Sequence, residues 1–211
     1  MTDTLPALMT VAIFVAYVAL VAALWKANRV DYPRIADSSR TLTRGIIIPI
    51  GLGLFGLGVA TTVLGWWPDV LTQEPTGPAW AVVVPLLWLV VGVVTVARAD
   101  LRGLGARRVV ILAAAALVVG AAEELLARGI LVVGAQQAGW SLAAVWMFST
   151  SLFAILHAIN GLFGLTWKAT IGQLGASFVG GTALFVTLIA TGSMILGALG
   201  RASRCPRGCG T

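Results

Sequence analysis

The sequence predicts an all-α protein: a polytopic transmembrane helical bundle of six spans plus a short or truncated seventh. Hydrophobic residues make up 59% of the 211-residue chain and charged residues only 10%, against about 25% charged in a soluble domain. Mean hydropathy is +0.97. Apolar runs of span length recur along the chain, and most of the charge lies in the short stretches between them. The net charge of +6 would suit a nucleic-acid binder. Its placement in short loops between spans is instead the pattern of cytoplasmic loops, so no nucleic-acid partner is expected.

Crossing roughly 30 Å of hydrocarbon takes about 20 apolar residues. Pro6–Trp25 is the first such run. Asp3 is the only charge before it, and the run is too long for the apolar core of a cleavable signal, so it reads as a span. Gly45–Trp66 is the second and contains Gly51, Gly53, Gly56 and Gly58. These glycines match a dinucleotide-binding fingerprint in form, but that motif needs a strand before it. In a lipid-length run, small residues mark close helix packing. Ala79–Ala97, Val109–Val133, Trp140–Leu162 and Leu174–Ala190 complete the six. Trp66, Trp67, Trp80 and Trp140 sit near span ends, where interfacial tryptophans belong.

The first loop holds Lys26, Arg29, Arg34, Arg40 and Arg44; the second holds Asp69 and Glu74 and no base. The third holds Arg98, Arg102, Arg107 and Arg108, the fourth no charge, and the fifth Lys168. Alternate basic loops place the N-terminus outside and loops one, three and five in the cytoplasm. Ser193–Gly200 is apolar but too short to cross, and a basic tail follows with Arg201, Arg204, Arg207, Cys205 and Cys209. The abrupt change at Gly200 is the expected mark of a truncated or frameshifted end. Two cysteines there form no disulfide framework.

Gly120–Gly129 puts Glu123, Glu124 and Arg128 inside the fourth run. Ionisable groups at membrane depth are costly and persist when paired or functional. On a helix, Glu124 and Arg128 face each other at i, i+4. Glu123 points about 100° away, without a local partner. One reading makes Glu123 a general base facing a wet cavity, since desolvation raises a carboxylate's pKa toward the useful range. The other makes all three residues a structural cluster; spacing alone favours neither.

His157 is the sole histidine. A lone histidine is more often a packing residue than a ligand, but this one lies at membrane depth one span after the charge cluster. Asn160 shares its helix face and is placed to orient the ring. Counting from Val109 on one side and Leu142 on the other, the depths of Glu123 and His157 differ by about 13 Å at 1.5 Å per residue. Sliding the fifth span toward Trp167 closes that gap, so the count permits contact without requiring it.

Glu123-Glu124-x-x-x-Arg128 followed by Phe153-x-x-x-His157 resembles the first two motifs of the CAAX-protease and bacteriocin-processing (CPBP, or ABI) intramembrane proteases. Phe178-Val-Gly-Gly and Thr191-Gly192-Ser193 resemble the family's run into its last core helix. The resemblance divides the chain into residues 1–108 without family signature, a protease-like core over 109–200 and a tail over 201–211. It implies a glutamate-dependent endopeptidase in which Glu123 activates water, Glu124 and Arg128 support it, and His157 is catalytic. It also implies a metalloprotease, with zinc held by Glu123 and His157. Partners are then membrane lipid and a membrane-associated peptide or protein, in the plasma membrane of a bacterium.

The family's third motif, His-x-x-x-Asn or Asp, would fall near Arg201, and no second histidine exists. A catalytically impaired member, acting as a membrane interaction or bacteriocin-immunity protein, is therefore the alternative. A small transporter using the Glu123–Arg128 cluster as an ion site is a third reading. Other intramembrane proteases fit worse. There is no His-Glu-x-x-His, Gly175-Ala-Ser177 lacks a rhomboid-like second glycine, and no aspartate lies in a span.

Overall fold

The computed structural model describes residues 4–84, 86, 87, 90, 94, 98 and 105–192. Among them, five helices are long and apolar enough to cross a membrane: α1 (Leu5–Ala27), α2 (Ser39–Val63), α4 (Ala106–Gln137), the broken pair α5–α6 (Leu142–Leu162) and α7 (Trp167–Thr191). A short α3 (Trp67–Leu71) follows α2. No strand occurs among the described residues. Five spans are thus seen where six and a partial seventh were expected. Nine of the nineteen residues of the third expected span, Ala79–Ala97, and all of 193–211 lie outside the described residues.

α1 buries Ala7, Thr10, Phe14, Tyr17, Val21 and Trp25, a seam repeating every three or four residues that keeps one face on the bundle. Against it lie α2, with Pro49, Gly53, Leu57 and Thr61 buried, and the end of α4. A Cβ on Gly53 would lie 2.5 Å from the Tyr17 ring, so this glycine packs helices, as the glycine run predicted. Gly134 on α4 is tighter: a Cβ would collide with the Thr10 methyl and approach the Pro6 carbonyl oxygen to 3.0 Å. Gly134→Val is expected to push α1 outward and destabilise the protein by about 1–3 kcal/mol, read as a lowered unfolding temperature in detergent.

α2 begins six residues before the expected Gly45 because Ser38 caps it. The Ser38 hydroxyl accepts from Thr41 N–H, and the Thr41 hydroxyl accepts from Ser38 N–H. Its first turns widen into a π segment, Thr43–Ile47. Pro49 has no N–H to offer the carbonyl of Gly45 four residues back, and that carbonyl accepts the Trp25 indole N–H at 2.6 Å instead. α7 likewise starts seven residues before the expected Leu174, because the Thr166 hydroxyl caps it at Ala169 N–H. Lys168 therefore lies in the first turn of a helix rather than in a loop.

α4 has 32 residues, about 48 Å at 1.5 Å per residue, well beyond the hydrocarbon thickness. Its first half buries only Ala115 and Ala122, whereas every residue from Leu125 to Ala135 is buried. The second half is the axis of the bundle, with α1, α2, α5 and α7 around it. The loop after α1 meets the start of α4 through Arg108 Nη2 donating to Ala36 O (2.8 Å), and the turn before α7 through Tyr32 N–H donating to Phe163 O (2.8 Å). At the opposite end, Gln137 donates to Asp69 (3.1 Å) and Gln73 N–H to Gly192 O (2.7 Å). Basic loops thus gather at one end and the acidic loop at the other.

Candidate active site

Glu123 and His157 meet: Glu123 Oε1 lies 3.6 Å from His157 Nε2. The 13 Å depth gap does not exist, and the reason is the α4–α5 hairpin. Counting from the membrane faces assumed that α4 entered the bilayer at Val109, but α4 is longer than a straight span. Counted from the turn the two helices share, Glu123 lies 14 residues before Gln137 and His157 lies 15 after Leu142. Both are therefore about 21–22 Å from that turn.

α5 ends at Leu156, with His157 at its C-cap, and this break orients the imidazole. His157 N–H bonds Ala154 O, and the Phe153 carbonyl is engaged by His157 Nδ1 at 3.0 Å. A carbonyl can only accept, so Nδ1 carries the hydrogen, and in the neutral ring Nε2 presents its lone pair to Glu123. At 3.6 Å the two are beyond direct hydrogen-bond reach, and a water donating to both would join them. Asn160 does not orient the ring, contrary to expectation. α6 (Ile159–Leu162) turns its amide to Gln173 Oε1 (2.9 Å).

Arg128 is held as the spacing predicts. Its Nη1 lies 3.4 Å from Glu124 Oε1, with Arg128 3% and Glu124 28% exposed. Two contacts come from other helices: Nη2 donates to Gly181 O at 3.4 Å, and the guanidinium carbon sits 4.3 Å from the Phe153 ring centroid, a cation–π approach. Gly181 permits this, since a Cβ there would lie 3.0 Å from both the Phe153 ring and the Thr150 methyl. Arg128 falls in a π segment, Leu125–Ile130. The wider turn begins directly after the glutamate pair, a position π bulges often take at functional sites.

Glu123 and His157 open on a cavity of about 290 Å³ that extends to the basic end past Tyr17, Trp25 and Tyr32. Val21, Ile46, Ile50 and Leu156 make much of the remaining wall apolar. Gln173 joins the lining and donates to the Tyr32 hydroxyl at 3.4 Å, which completes a polar chain Asn160–Gln173–Tyr32. Tyr17, Tyr32, Gln173 and the contact role of Gly181 were not expected from the sequence. Only the Gly180-Gly181 pair left a trace, as part of the family-like run.

A metal fits poorly. Among the described residues no three of His, Cys, Asp and Glu cluster as ligands. The donors available are His157 Nε2 and the Glu123 carboxylate, because Nδ1 is engaged and Glu124 is paired. A catalytic zinc takes three protein ligands.

Residues 105–202 match the family model described as type II CAAX prenyl endopeptidase, Rce1-like. The segment is a little under half of the chain, and the match bears out the resemblance to the CPBP proteases read from the motifs. No curated protein and no solved structure matches the chain.

Proposed function

We propose that the chain uses this family's core as a glutamate-dependent intramembrane endopeptidase, hydrolysing peptide bonds of membrane-associated substrates. The family match supports an endopeptidase in a membrane. The observation that carries the glutamate assignment is the 3.6 Å approach of Glu123 to His157 inside a cavity. Glu123 takes a proton from a water held between its carboxylate and His157 Nε2. The oxygen of that water attacks the scissile carbonyl carbon. As the tetrahedral intermediate collapses, the C–N bond breaks and the proton held by Glu123 passes to the leaving amine. Arg128 pairs with Glu124 and fixes the turn that aims Glu123. The basic end faces the cytoplasm and the N-terminus the outside, by the placement of basic loops.

The test is reconstitution of the full chain in liposomes with a peptide anchored to the same bilayer. Cleavage is expected for the anchored peptide and not for its unanchored form. Since the donors among the described residues make no three-ligand site, cleavage should persist in excess EDTA. His157→Ala should retain the fold and lose most of the rate.

The single histidine of the sequence favours a second reading, a non-catalytic member acting as a membrane interaction or bacteriocin-immunity protein. Binding of the anchored peptide without cleavage by the wild type would select it.

A further inference from the structure

Arg29, Arg34, Arg40 and Arg44 line one cavity of about 340 Å³ at the basic end, apart from the Glu123 site. Its only carboxylate is Asp31, which lies 3.7 Å from Arg34 with both side chains exposed. Among the described residues, Arg29, Arg40 and Arg44 have no carboxylate partner. Alternating basic loops account for charge at this end of the bundle, but not for its convergence on one concavity.

The backbone adds a second observation. α1 ends in a Schellman turn: Val30 N–H bonds Trp25 O at 3.0 Å and Arg29 N–H bonds Lys26 O at 3.1 Å. The residue at the left-handed position of such a turn is usually glycine. Gly65 after α2, Gly139 after α4 and Gly192 after α7 all follow that rule, with φ of 68°, 75° and 67°. After α1 the position belongs to Arg29 at φ 52°, the only non-glycine with positive φ among the described residues. An arginine held where glycine costs less, lining a cavity shared by three other arginines, points to a ligand rather than to the turn.

We propose that this cavity binds a phosphate-bearing anion at the membrane surface, the headgroup of an acidic phospholipid. The four arginines follow directly on the end of α1 and open the start of α2, at the level where spans leave the hydrocarbon. Basic pockets at such positions take acidic headgroups, and guanidinium forks match phosphate oxygens. The inference stands whether or not the chain is a protease.

The test uses the purified full chain in dodecylmaltoside, read by native mass spectrometry and thermal unfolding against phosphatidylglycerol, phosphatidylcholine and inorganic phosphate. Phosphatidylglycerol should bind and raise the unfolding temperature, and phosphatidylcholine should not. Arg29→Gly relieves the left-handed residue, so the lipid-free protein should unfold no lower than wild type while its phosphatidylglycerol affinity falls about fivefold. Arg40→Gln with Arg44→Gln should lower that affinity about 25-fold. Inorganic phosphate that binds with the same losses would keep the phosphate chemistry and assign it to a soluble anion. Undiminished phosphatidylglycerol binding in both variants, or equal binding of phosphatidylcholine, would overturn the proposal.

Discussion

Glu123→Gln is expected to lower peptide cleavage in liposomes by about 10²–10⁴-fold, the usual contribution of a positioned general base. The amide has nearly the shape of the carboxylate and can occupy the same place beside His157, but it accepts no proton from water. Glu123 belongs to neither the Arg128 ion pair nor the close-packed stretch from Leu125 to Ala135. The unfolding temperature should therefore change little. A loss of rate with an unchanged melt separates chemistry from folding, and an unchanged rate would remove Glu123 from the mechanism.

The largest effects on stability are expected in the Glu124–Arg128 pair. Among the described residues Arg128 is the only base paired with Glu124, and breaking a buried pair from one side costs about 3–5 kcal/mol, because the other charge is left without compensation. Glu124 is partly exposed, so Arg128→Met should fall at the lower end of that range. Glu124→Gln should cost more, since it strands a guanidinium that is 3% exposed. The double variant removes both charges and should regain much of the loss. Thermal unfolding of the two singles and the double measures the coupling, and additive losses would mean that the pair contributes nothing. Cleavage should survive in the double variant at a reduced rate, because Glu123 and His157 remain.

The parts of the site that sit on one helix were legible in the sequence. Glu124 and Arg128 pair because helical spacing brings them together. Gly53 packs because a glycine in an apolar run has little other use. Contacts between helices were harder. Glu123 and His157 looked about 13 Å apart in depth when counted from the membrane faces, because composition does not reveal that α4 overruns the bilayer. The short Gln137–Leu142 turn held the better ruler. Tyr32 and Gln173 were invisible for a different reason: they come from a loop and the start of a helix, with no periodic signal, and only the fold joins them. Arg29 read as one more loop base, since a left-handed φ at a helix end cannot be told from an ordinary loop residue in the sequence.

The central claim is that Glu123 acts as a base on water and not as a nucleophile. Cleavage of the anchored peptide in H₂¹⁸O under single-turnover conditions tests it most directly, with mass spectrometry of both the product and the Glu123 peptide. The account predicts one ¹⁸O in the new product carboxylate and none in Glu123. Label in Glu123, with unlabelled product, would mean a covalent acyl-glutamate and would contradict it.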